Sequence, residues 1–384
     1  MQIRIGKKYL ARVFAVILII AEPCFIVAQS ETTRDFGSSL SKTEFDDGVV
    51  RIDTTLVVSD VRVLDKRGEV VPRLQASDFI VSEDNVPQEI STFSLGGDKD
   101  GIPKSIILII DYSGSQLPYI TTSIEAAKVL VDKLNPNDKM AIVTDDVEVI
   151  VRPSSDKTLL KEKLEGLKIS ALSGKVGLSR QYSALMAAMK ELFGRGDLRP
   201  IVIFQTDGDE FMKVTTPRPE LYGEFYKNQK FQFKDILSTS DRIGATIYSV
   251  IPGVSFLECE GGAAVDAARN HLADTHKANN VTAKPKILKR FLSQLISSYR
   301  RDHRSVDRVA KSTGGWTEVL RSPEDADAVY LRILHGINTR YILGYYPKNE
   351  SRDGRKRSVS VRVKNHPEYK VLGRDGYIAS GENY

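Results

Sequence analysis

The sequence predicts an α/β protein whose doubly wound, mostly parallel sheet is flanked by helices and inserted between β segments that form a β-sandwich. Three observations predict it. Alternating β-branched and polar residues run through 49–100 and return in 341–384. Between them, short aliphatic runs such as "SIILII" alternate with segments of 3.6-residue apolar period, the signature of a parallel sheet covered on both faces. Two of those aliphatic runs end in aspartates, Asp111 and Asp207, at the edge where open α/β sheets bind their ligands.

Residues 1–28 are different in kind. Arg4, Lys7, Lys8 and Arg12 precede the apolar run Val13 to Ala21, and Glu22-Pro23 then breaks the pattern before Phe25 to Ala28. A basic start, a short apolar stretch and a small residue at the cut site read as a secretory signal cleaved after Ala28. The apolar stretch falls short of the roughly 20 residues of a membrane span. The expected location is therefore secreted or periplasmic, without an integral membrane span; the alternative is an uncleaved amino-terminal anchor.

The 384 residues are 41% hydrophobic and 27% charged, a globular composition sufficient for two or three cores. Cleavage would remove four basic residues and one acidic one, lowering the formal charge from +5 to +2. That balance argues against nucleic acid as a partner. Of Cys24 and Cys259 only the latter would remain, so an intrachain disulfide is excluded and stability must come from packing.

Residues 29–48 are polar and aperiodic, a flexible lead. An amino-terminal β module spans 49–100. "VVRIDTTLVVSDVRVLDKRGEVV" reads as two strands around a Lys66-Arg67-Gly68 turn, and "DFIVSEDNVPQEISTFS" repeats the design with a turn near Asp84-Asn85. The α/β domain occupies 101–340. Strands are expected in "SIILIID", "KMAIVT", "VEVIVRP", "PIVIFQTDGDE" and "ATIYSVIP", and helices in "YITTSIEAAKVLVDKL", "DKTLLKEKLEGL", "YSALMAAMKELF" and "FKDILSTSDRIG". "VDRVAKSTGGWTEVL" reads as helix, Gly-Gly turn and strand, and "PEDADAVYLRILHGIN" as a closing helix. Residues 341–384 return to strands, expected to pair with 49–100 because two or three strands alone are marginal.

The candidate site lies where two strands end. Ser113 and Ser115 follow Asp111 at alternate positions, so a tight turn eased by Gly114 can direct both hydroxyls the way the carboxylate points. With Asp207, the set is two carboxylates and two hydroxyls. Such hard oxygens suit Mg²⁺, Mn²⁺ or Ca²⁺ rather than Zn²⁺. Two carboxylates at most neutralise a dication and leave it open to an acidic group from a partner.

"DYSGS" followed by "TDG" on a later strand resembles the von Willebrand factor type A domain with its metal-ion-dependent adhesion site, whose first motif is Asp-x-Ser-x-Ser. The stretch "VVRIDTTLVVSDVRVLDKRGEVVPRLQASDFIVSEDNVPQEISTFS", with "STGGWTEV" inside the α/β domain and "RYILGYYPKNESRDGRKRSVSVRVK" after it, resembles the VWFA-related proteins common in Acidobacteria, so the likeness covers nearly all of the mature chain. The resemblance implies that Asp111, Ser113 and Ser115 form the first motif and that Asp207 is the later aspartate. Relatives place a threonine in a Gly-Gly-Thr-type turn before the central helix, where this chain has "GLSRQYSAL". Ser179 is the nearest equivalent, with Ser183 and Ser173 as alternatives. "IVTDDVEVI" is shorter than the family's usual strand and lacks its aromatic residue, a departure that bears on packing more than on ligation. The function implied is a non-enzymatic, divalent-metal-dependent binding module, holding Mg²⁺ or else Mn²⁺ or Ca²⁺, for a protein presenting a Glu or Asp side chain. The alternatives are a metal-dependent hydrolase using the same site and a structural envelope module.

Other features carry less. An aromatic insertion, residues 211–235, follows Asp207, and a second occupies 253–286. In the latter, His271 and His276 are one residue too far apart for a helical zinc pair. "SSYRRDHRSVDR" and "SRDGRKRSVSVRVK" read as solvated charged faces. Neither a nucleophile elbow nor a phosphate loop is present.

Overall fold

The computed structural model describes residues 56–113, 116–175, 177, 180–194, 197, 199–208, 233–253, 266 and 285–380. The expected signal and polar lead, most of both insertions, and Ser115 and Ser179 lie outside them. All the described elements belong to one contact unit, Asp53–Tyr384.

The chain opens with β1 (Val57–Leu64), β2 (Phe79–Glu83), β3 (Val86–Gln88) and β4 (Ile90–Leu95). Asp84 and Asn85 both take positive φ, 47° and 67°, which the short polar residues of a two-residue hairpin tolerate, and β2 pairs antiparallel with β3 across them. After Gly68 (φ 85°) the expected return strand is reduced to a single bridge, Leu64 to Val70. Pro72 explains the difference: it has no N–H to continue the ladder.

The α/β domain follows. Its strands are β5 (Ser105–Ile110), β6 (Lys139–Thr144), β7 (Val149–Ser154), β8 (Pro200–Gln205), β9 (Thr246–Pro252) and β10 (Thr317–Leu320). Its helices are α1 (Leu117–Asp132), α2 (Lys157–Leu172), α3 (Gln181–Leu192), α4 (Phe233–Ile243), α5 (Pro285–Ser312) and α6 (Ala326–Asn338). The sheet order is β10-β9-β8-β5-β6-β7, parallel except for β7. β7 is antiparallel because the turn from Thr144 to Glu148, closed by Thr144 N to Glu148 O at 3.0 Å, leaves no room for a crossover helix.

Every residue of β5 is buried, and its alternation divides the core. Ile106, Leu108 and Ile110 face α1, α2 and α6 through Ile120, Ile124, Leu160 and Ile333. Ile107 and Ile109 face α3, α4 and α5 through Leu185, Met189, Ile236 and Val306. Read as separate pieces in the sequence, the charged stretch before Asp307 and the segment after it form one 28-residue helix, α5, with Leu292, Ile296, Val306 and Val309 buried. β5 and β8 are neighbours from which the chain departs in opposite directions. The crevice outside their carboxyl ends is the topological switch point.

Four strands close the fold: β11 (Tyr341–Tyr345), β12 (Asp353–Val363), β13 (Lys370–Leu372) and β14 (Gly376–Ser380). They complete two antiparallel sheets with the amino-terminal strands, β13-β1-β11-β4 and β14-β12-β2-β3. Val61, Val63, Tyr341, Leu343 and Tyr345 from one sheet share a core with Phe79, Val81, Val359 and Val363 from the other, which makes a β-sandwich. Asp60 of β1 ties the sandwich to the α/β domain: it accepts from Arg199 Nε at 2.9 Å and from Arg340 Nε. The Arg199 head group also donates to the carbonyls of Gly96 and Ile337, each at 2.7 Å.

Candidate functional site

Asp111 is the first residue beyond β5. Its N–H continues the ladder to Gln205 O at 3.1 Å, which fixes the backbone against β8, and its side chain is wholly buried. Ser113 folds back onto it: the Ser113 N–H and Oγ donate to Asp111 Oδ1 at 3.0 and 2.6 Å. Such an aspartate-led turn is the local conformation that "DYS" favours.

Asp207 reaches the same place from β8. Thr206 N donates to Val250 O at 2.9 Å, and Gly208 N donates to Thr206 Oγ1 at 2.9 Å, so the backbone turns away directly after the aspartate. Gly208 has φ 74°, and a Cβ there would stand 3.0 Å from Val306 Cγ2 and 3.2 Å from Asp302 O. Glycine is thus required twice over, by conformation and by the close approach of α5. Asp207 Oδ2 accepts from Gln116 Nε2 at 2.9 Å.

Gln181, the first residue of α3, joins the two strand ends. Its Nε2 donates to Asp111 Oδ2 at 2.6 Å and to Asp207 Oδ1 at 3.1 Å, while its Oε1 accepts from Thr206 Oγ1. Asp145, beyond β6, is the third carboxylate. Its Oδ1 accepts from Tyr112 N at 2.9 Å, and its own N–H donates to Ile110 O at 3.2 Å. Asp111, Asp145, Asp207 and Gln181 are each 0 or 1% exposed.

Burial first, and then the charges of Asp207 and Asp145, push the Asp111 carboxyl well above the ordinary carboxylate range; the hydrogen bonds from Ser113 oppose this without cancelling it. His303 on α5 lies beside Asp207. Burial lowers its pKa to about 4, against the charge of Asp207 and a hydrogen bond to the Asp207 backbone, so it is neutral at physiological pH and brings no positive charge. Among the described residues, the donors to Asp111 are the neutral groups Ser113, Gln181 and, at 3.5 Å, Asp207 N.

Of the five residues singled out in the sequence, the fold brings Asp111, Ser113 and Asp207 together, while Ser115 and Ser179 lie outside the described residues. Gly177 is held at the site: it forms a parallel bridge with Ser113, and its N–H donates to Tyr112 O at 2.8 Å. Ser173, an alternative to Ser179, is exposed and its hydroxyl donates to Ser170 O at 2.7 Å, closing the end of α2. Sequence reasoning passed over Gln116, Asp145, Gln181 and His303. Only Asp145 carried a signal, as a carboxylate directly after the strand "KMAIVT".

The arrangement suits a hard cation by donor chemistry. Three buried carboxyl groups and the Ser113 hydroxyl supply hard oxygen donors, and the groups that donate to Asp111 are themselves uncharged. Among the described residues no three His, Cys, Asp or Glu side chains form a metal cage by themselves.

No known family model and no curated protein matches the chain. Among solved structures, it is similar to an aerotolerance-related membrane protein from Bacteroides fragilis, at 17% identity and TM-score 0.36, over 62% of this chain and 99% of that one. It is similar to BatB from Bacteroides thetaiotaomicron at 15% and 0.36, over 61% and 98%. Similarity to the vWF domain of the type V pili tip protein Mfa5 from Porphyromonas gingivalis is 11% and 0.35, over 62% and 95%. These likenesses carry no argument about activity. The doubly wound fold stands on the strand order and the two-sided core.

Proposed function

We propose that the chain is an exported, non-enzymatic binding module that captures a protein partner through a divalent cation held at the carboxyl ends of β5 and β8. One observation carries the reading: Asp111 and Asp207 are buried side by side at the switch point, with Asp145 behind them, and the donors that meet Asp111 are neutral. Asp111, Ser113 and Asp207 would hold the cation, with Ser115 and Ser179 completing the set that the family resemblance implies. Mg²⁺ fits the oxygen donors best, and when bound it supplies a positive centre open to a Glu or Asp carboxylate from the partner.

The chain's own residues do the positioning. Gly208 and α5 turn the backbone away so that Asp207 projects at the edge, and Asp145 fixes the Tyr112 amide so that Ser113 folds onto Asp111. Export rests on the amino-terminal sequence. Among the described residues no helix is long and apolar enough to cross a membrane.

Calorimetric titration of Mg²⁺ and Mn²⁺ into the EDTA-stripped protein tests this beside Asp111→Ala. Heat of binding that the substitution removes is the expected result, and absence of heat from the unaltered protein would sink the reading. Acidic peptides and their amide counterparts, compared in Mg²⁺ and in EDTA, then test the carboxylate partner.

A further inference from the structure

We propose that Gln181 is a built-in competitor for the cation position, so that the cation binds only as the Gln181 amide leaves, at the cost of affinity. The inference rests on the cation reading above and concerns how this chain tunes it.

The geometry is specific. One nitrogen, Gln181 Nε2, sits 2.6 Å from Asp111 Oδ2 and 3.1 Å from Asp207 Oδ1, with its two N–H groups shared between the two carboxylates. A cation held by Asp111 and Asp207 would compete with Gln181 Nε2 for those same carboxylate oxygens. An amide bears no net charge, so it satisfies the carboxylate lone pairs without neutralising the site, whereas a dication would accept the same lone pairs and neutralise the charge.

The amide is also locked in orientation. Thr206 Oγ1 has a single proton and accepts from Gly208 N at 2.9 Å; that proton goes to Gln181 Oε1. Turning the carbonyl oxygen toward the cation position would break this bond and set oxygen against two carboxylates. The backbone is fixed as well, because Gln181 opens α3 and Tyr182, Leu185 and Met189 anchor that helix in the core. Release of Gln181 is therefore a movement of its side chain rather than of α3.

The test is titration of Mg²⁺ into the EDTA-stripped full chain, comparing the unaltered protein with Gln181→Ala and Gln181→Asn, and with Asp111→Ala as the blank. Gln181→Ala is expected to bind Mg²⁺ at least tenfold more tightly. Its melting temperature should fall below that of the unaltered protein in EDTA and meet it in saturating Mg²⁺. Gln181→Asn, one methylene too short to span both carboxylates, should shift affinity in the same direction and guards against a folding defect in the alanine variant. Equal affinities, with heat that Asp111→Ala removes, would overturn the inference and leave the cation reading intact. Weaker binding by both variants would overturn it differently, by showing that Gln181 Oε1 is itself a ligand. Absence of heat from all four proteins would remove the cation reading and this inference together.

Discussion

Gly177 shows how much at the site depends on one missing side chain. A Cβ there would stand 2.3 Å from Asp145 Oδ1 and 2.5 Å from Oδ2, nearer than carbon and oxygen can approach. Gly177→Ala should therefore expel the Asp145 carboxylate from its bond with Tyr112 N and loosen Ser113, one residue on. We expect a loss of about 1–3 kcal/mol, the range for an overpacked or unsatisfied buried position, read as a lower denaturant midpoint. Mg²⁺ affinity should fall with it, in contrast to the gain expected at Gln181. At this scale the sequence was half legible. Asp111 and Asp207 stood out because each ends an aliphatic strand in an α/β pattern, where geometry leaves few roles for a carboxylate. Gln181 did not, because a glutamine opening an amphipathic helix has the appearance of a surface residue. Periodicity tells which face a residue takes and nothing of what lies across from it.

Among the elements, α6 and β10 present a conflict between two effects of known size. Gly336 lies inside α6, where alanine would gain about 1 kcal/mol in helix propensity. A Cβ at that position would meet Trp316 Cη2 at 2.0 Å, and the indole is hemmed in by Tyr248, at a ring separation of 4.7 Å, and capped by Arg62. Overpacking of this kind costs roughly 1–3 kcal/mol. Packing should win, so Gly336→Ala is expected to lower the melting temperature despite its better propensity. The elements themselves were largely readable, since strand runs and helical stripes differ in period. Partners and directions were not. Nothing in "VEVIVRP" announces an antiparallel edge strand; the short turn before it decides that, and Pro72 ends the strand after Gly68 for an equally local reason.

At the scale of the molecule, Asp60 joins what the sequence separates by more than 130 residues. Burial disfavours its charge, but the guanidinium groups of Arg340 and Arg199 outweigh burial and hold its carboxyl below the ordinary value of 3.8. Lys104 and Arg374 add further positive charge around it. A lowered folded-state pKa means stability that is present above the unfolded value and lost as pH falls through the folded one. Asp60→Asn leaves two buried guanidinium groups without their anion and is expected to cost about 3–5 kcal/mol near pH 7. Thermal melts across pH 3 to 7 should show this deficit shrinking on acidification; a deficit constant with pH would count against the charge pairing.

The α/β domain leaves and re-enters the sandwich at one point. Gly96 N donates to Arg340 O at 2.8 Å, and β4 pairs antiparallel with β11 from Leu95 and Tyr341 outward. Topologically, the whole domain is the loop of a β-hairpin. Mechanically, it is shielded: tension between the segments that precede β1 and follow β14 has to unzip the β4–β11 ladder before it reaches β5 or β8. A partner gripping the switch point would pull on a domain whose two chain ends are clamped together, so the load would pass into the sandwich through the β4–β11 ladder and through the side-chain contacts of Arg199, Arg340 and Arg374 beside it.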